Sequence, residues 1–174
     1  MTTGVRTLGK DWDIVPAIVP VNLNTGANTG GRVHMKNYRN CAIVIFASIG
    51  TAASDLAVDV QEADAATGGT IQDLDVVTKY YIKDALSLTS ATTWSEIAQT
   101  PAASEISDAG GAGTSAEHSQ VVVIEIDNTQ LSDGFEWLSI NVPQPGATKL
   151  GCAFYVLTGL NVQRKPQNLA DPNA

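Results

Sequence analysis

The chain has 174 residues, a hydrophobic fraction of 44%, a charged fraction of only 16% and a formal net charge of −8. That length suits one domain with a real core, and the acidic balance excludes a nucleic-acid binder that works through its overall charge. No run approaches the ~20 apolar residues that span a bilayer, and Met1-Thr2-Thr3-Gly4-Val5-Arg6 lacks the apolar stretch of a signal peptide, so the chain is expected to be made in a cytoplasm and to bind no membrane.

Residues 1–31 read as an extended N-terminal arm. Asp13 to Val21 is apolar but carries Pro16 and Pro20, each of which removes a backbone donor and rules out a central strand. Such a segment serves either as an edge strand of its own domain or as an arm laid on a neighbour. The second use makes Trp12, Ile14, Val15, Ile18 and Val19 partner-binding candidates. Asn24 to Gly31 is a loop by composition.

The domain proper is expected over residues 32–160. Arg32 to Tyr38 reads as a short strand and Asn40 to Ser48 as a buried one, from its run of Ile43, Val44 and Ile45. Asp55 to Glu62 alternates, with Leu56, Val58 and Val60 inward and Asp55, Asp59 and Gln61 toward water. Residues 76–84 favour a strand over a helix. Thr92 to Ala98 reads as another strand, with Trp94 as a core anchor, and Pro101 to Glu117 as the longest loop. Gln120 to Ile126, Phe135 to Val142 and Leu150 to Leu157 complete the set, and Asn128 to Asp133 suggests a single helical turn. The buried set should include Val122, Ile124, Ile126, Leu138, Ile140 and Val142. Residues 161–174, with Pro166 and Pro172, read as an extended C-terminal tail. Many short strands spaced by turns predict an all-β fold, an antiparallel β-sandwich or jelly roll.

Charge divides unevenly along this plan. Residues 1–39 carry Arg6, Lys10, Arg32, Lys36 and Arg39 against two acids, while residues 40–160 carry Lys79, Lys83 and Lys149 against fifteen. Arg164 and Lys165 make the tail basic again. Basic ends on an acidic body fit pairing with acidic patches on a partner or a second copy, which adds Arg6, Lys10, Arg164 and Lys165 to the candidates.

Catalytic chemistry has little to stand on. His34 and His118 have no Ser or Cys beside them in a nucleophile motif, so no catalytic residue is expected. The segment Gly110 to Ser115 lacks the Gly-Lys-Ser/Thr ending of a phosphate loop, and no cofactor is expected. Cys41 and Cys152 read as buried free thiols in apolar strands, and two cysteines do not make a zinc site. The acids around Asp55, Asp59, Glu62 and Asp64, and around Asp127 and Asp133, do not match a calcium loop, so no metal is expected. Trp12, Trp94 and Trp137 would stack sugars only if they shared one exposed face, which keeps a carbohydrate-binding or adhesion module as an alternative.

The order of these elements is itself informative. Asn37 to Ile45 leads into Val58 to Ala63, then Thr93 to Ile97, Val123 to Asp127, Leu131 to Phe135 and the closing Ala153 to Leu157. Over roughly residues 37–160 this resembles small virion structural proteins of tailed bacteriophages, of the capsid decoration or cement type. The resemblance implies a sandwich domain that adds to the outside of a phage head and stabilises it. It also implies two partners, the major capsid protein and further copies of the chain as a dimer or trimer. A tail or head–tail connector subunit is the neighbouring alternative. No residue-by-residue role follows from the resemblance.

Overall fold

The computed structural model describes residues 7–26, 28–86, 93–111 and 113–173. The fold is all-β, with two antiparallel sheets of six strands packed as a sandwich. Twelve strands follow one another: β1 (Trp12–Asn22), β2 (Asn28–Thr29), β3 (Val33–His34), β4 (Asn40–Ala47), β5 (Val58–Ala63), β6 (Ile71–Asp73), β7 (Val77–Ala85), β8 (Ser95–Ala103), β9 (Glu105–Ile106), β10 (Ser119–Asp127), β11 (Trp137–Val142) and β12 (Leu150–Thr158). The first sheet runs β1-β12-β4-β10-β7-β8. The second runs β2-β11-β5-β6, with β3 also paired to β11 and β9 to β5. Among the described residues no helix is long and apolar enough to cross a membrane.

The core lies between the two sheets, and period-2 alternation decides its membership. Cys41, Ile43, Ile45 and Ala47 enter from β4, Val122, Ile124 and Ile126 from β10, and Ala153, Tyr155 and Leu157 from β12. From the other side come Val58 and Val60 of β5 and Leu138, Ile140 and Val142 of β11, with Leu56 buried just ahead of β5. All nine residues that alternation assigns inward in Asp55–Glu62, Gln120–Ile126 and Phe135–Val142 are buried. Asn128–Gln130 forms the expected single turn, a 3-10 turn closed by a capping box on Asp127.

Five expectations are corrected. The segment Trp12–Asn22 pairs with β12 along its length as the edge strand of the first sheet. Its prolines are tolerated there because the edge needs no donor on its outer side, and two irregularities in register, between Pro16 and Ile18 and between Ile18 and Val21, re-aim the strand. The stretch expected to be a long loop from Pro101 instead continues β8 to Ala103 and adds β9, since Pro101 also lies on an edge strand. Trp94 is not a core anchor: it is 49% exposed, with the Lys83 ammonium 4.8 Å from its ring centroid. Arg32 to Tyr38 supplies only the two-residue β3 before a 3-10 turn at Met35–Asn37. The tail likewise carries a 3-10 turn, at Pro166–Asn168.

Candidate functional site

The outer face of the first sheet is the most distinctive surface of the molecule. Residues opposite one another on neighbouring strands form rows. One row runs Ile14, Val156 and Ala42 across β1, β12 and β4. The next runs Pro16, Phe154, Val44, Val123 and Tyr81, and a third Cys152, Phe46 and Val121. None of these side chains joins the core. Ile14 and Phe46 are 46% and 43% exposed, Pro16 is also exposed, and the rest are half-shielded by one another. Across β1, β12, β4 and the Val121–Val123 stretch of β10 this face holds no charged side chain, and the Ala42 row ends on the exposed Glu125.

Charge returns at Glu125 and Asp127 toward the end of β10, and along β7 and β8. Lys79 pairs with Glu96 at 3.0 Å and lies 5.3 Å from the Tyr81 ring centroid, while Lys83 covers Trp94. Their aliphatic stems extend the apolar surface, and the ammonium groups mark its border. Glu96 is held below the usual carboxylate range by its hydrogen bond from Lys79.

The opposite outer face, on the second sheet, is wet and acidic. Gln61 and Asp59 of β5 face Asp73 of β6 and Glu105 of β9. Burial raises the Asp59 carboxyl above its ordinary value, a hydrogen bond from Ser104 opposes this, and nearby Asp73, Glu105 and Asp75 raise it further. The two faces of one sandwich thus differ completely in wetness, and their chemistry separates their uses.

A second feature is a basic corner where both chain ends meet. The amide of Arg164 donates to the carbonyl of Gly9 at 2.8 Å, and the amide of Gly9 donates to Trp12 at 2.8 Å. Gly9 has φ +79, and a Cβ there would lie 2.5 Å from the Arg164 carbonyl oxygen, so only glycine permits the contact. The contact places Lys10 beside Arg164 and Lys165 along one open groove, with Trp12, Leu160 and Gln163 in the adjoining one.

The third polar feature is closed. Lys149 is fully buried and donates to the Ala116 carbonyl at 3.0 Å. Burial lowers its pKa, and Asp55, Asp84, Asp108 and Glu117 around it raise it. Asp84 also holds His118 Nδ1 at 2.6 Å, and buried Gln120 donates its amide to Ala109. Because the ammonium is sealed from solvent, this cluster is an internal counter-charge for the loops at that end of the sandwich. His34 is equally structural, stacked on Trp137 at 4.4 Å between ring centroids and bonded to Glu136 at 2.9 Å. No group of three or more His, Cys, Asp or Glu suited to a metal occurs among the described residues.

The sequence-derived candidates therefore separate. Val15 and Ile18 belong to the chain's own core and are not available to a partner. Ile14 and Val19 of the same strand point outward, the latter 67% exposed. Trp12, Lys10, Arg164 and Lys165 converge on the basic corner, and Arg6 lies outside the described residues. The tryptophans share no face: Trp12 lines the corner, Trp94 lies under Lys83, and Trp137 is 8% exposed beneath His34. Sequence reasoning missed Val44, Phe46, Val121, Val123, Phe154 and Val156 as surface residues. A signal was present, since Cys41 to Ala47 and Val121 to Val123 are apolar without alternation, meaning apolar on both faces. Compared with known proteins, no family model matches the chain and no curated protein does.

Proposed function

We propose that the protein is a virion structural protein of the capsid decoration type, which adds to the outside of a phage head and stabilises it as a homo-oligomer. The observation that carries this reading is the apolar stretch of the six-stranded sheet's outer face, across β1, β12, β4 and the middle of β10. An apolar patch spanning four strands is at the size that marks an interaction surface on a protein in water, which supports an assembly as the chain's working form. The basic corner supports the same reading, because a local cationic groove on an acidic body orients docking against an acidic surface and makes it salt-sensitive. The strand and turn order resembles that class of protein, and the buried Lys149 and stacked His34 serve the fold, not a reaction.

Immunogold labelling of particles from a culture that makes the protein tests the proposal. Label on the heads is expected. Label confined to tails or necks would favour the connector reading, and unlabelled particles would overturn both.

A further inference from the structure

We infer that the apolar stretch of the first sheet's outer face is covered by the same face of a second copy, giving a closed homodimer of four β-layers. This rests on reading the chain as an assembly subunit and goes further by naming what sits on the face.

Charge selects the partner. The body is strongly acidic, so two copies repel through most of their surfaces. The face carrying Ile14, Phe154, Val44, Phe46 and Val123 is the exception, because apolar on apolar needs no complementary charge. Sheets stack at about 10 Å, so four layers set the two acidic outer faces roughly 30 Å apart, several Debye lengths at physiological salt. A copy turned the other way would instead bring its acidic face down on an apolar one.

Geometry selects the mode. The free edges of the first sheet are β1 and β8, which carry Pro16, Pro20 and Pro101. Proline at an edge blocks the addition of a further strand, so growth in the plane of the sheet is prevented. Stacking is the open direction, and it ends at two copies because the far face of each is wet. Six strands about 4.8 Å apart, each contributing about six residues of 3.4 Å, give a footprint of roughly 600 Å². Corrugated side chains raise the accessible area above the footprint, toward the ~800 Å² per partner of a standard specific interface. The uncharged strands then form the centre, and Glu125 with the lysines lying over Tyr81 and Trp94 forms the rim.

Cys152 is a native probe. It lies on this face, half-exposed in the single chain, whereas Cys41 is buried in the core. Light scattering of the intact protein at roughly 10–100 µM should give twice the 18.2 kDa chain mass. Maleimide labelling of Cys152 should be about tenfold slower there than after dilution to monomer. Val123→Glu and Phe154→Asp should each give a monomer with unchanged far-UV circular dichroism and fast labelling, while Asp73→Lys on the wet face should leave the dimer intact. A wild type that stays monomeric, a dimer that survives both face variants, or a Cys152 rate independent of dilution would each overturn the inference. If the variants misfold, the wild-type dilution series still decides. A monomer that nevertheless marks phage heads overturns the dimer and leaves the shell reading standing. A dimer whose antibody marks no particle does the reverse.

Discussion

The Lys149 ammonium donates to the Ala116 carbonyl at 3.0 Å, and that single bond ties the turn before β12 to the turn before β10 in a site closed to water. Around it stand Asp55, Asp84, Asp108 and Glu117. Removing the cation leaves four half-buried acids facing one another without compensation, which costs more than the attraction contributed. Lys149→Ala should therefore lose about 3 kcal/mol or more in urea unfolding. Lys149→Met, which restores the stem but not the charge, should lose roughly half as much. Equal losses in the two variants would mean that the charge alone matters here and that packing of the stem does not.

Glu62 offers a similar test on the second sheet. Its buried carboxylate accepts from Gln72 Nε2 at 2.7 Å and from the Ser132 amide at 2.8 Å. Glu62→Ala strands that amide and should cost about 2–3 kcal/mol, whereas Glu62→Gln keeps an acceptor and should cost about 1 kcal/mol. Chemical denaturation of the two variants separates these outcomes.

Trp94 and Trp137 should respond oppositely to truncation. Trp137→Ala removes a ring packed under His34 and should destabilise by about 3–5 kcal/mol. Trp94→Ala removes a mostly exposed ring and should cost about 0.5 kcal/mol or less. Thermal melts of both variants check the corrected placement.

Asp59 gives the acid limb of the stability profile a defined sign. Its folded-state pKa is raised, chiefly by burial, above the value in the unfolded chain. The fold therefore binds this proton more readily than the unfolded state does. The resulting stabilisation appears as pH falls from neutral toward the ordinary aspartate range, and is fully present below it. Asp59→Asn should be more stable than wild type at neutral pH by about 0.5–1 kcal/mol and should lack that gain on acidification. Unfolding measured across this window in both proteins checks the sign.

How much of this was legible beforehand depended on what each pattern encodes. Alternation assigned Leu56, Val58 and Val60 to the core because a strand with one wet face leaves no choice. The same parity placed Glu62 beside them, but a carboxylate is read as exposed until its partners are known, and Ser132 is distant in sequence. Trp94 was misassigned because β8 is an edge strand whose neighbourhood on one side is open, so hydrophobicity alone does not choose its face. The segment Trp12–Asn22 was ambiguous for a related reason: proline marks a missing donor, which an edge strand and a detached arm share. The basic corner was unreadable as a site, since Lys10 meets Arg164 only through the backbone contact at Gly9.

The way β1 and β12 end has a mechanical consequence. Trp12 opens one strand and Thr158 closes the other, and the two are direct partners in an antiparallel pair. Tension applied between the chain ends therefore loads the His34–Pro172 and Gly9–Arg164 bonds and then that pair from a single end. Antiparallel ladder bonds lie across the strands, so the load reaches them one after another, as in a zipper, and never all together in shear. A molecule built this way is weak when pulled by its ends and strong when pressed or gripped across its sheets. A clamp on a pressurised shell would accordingly have to take its load through the broad faces.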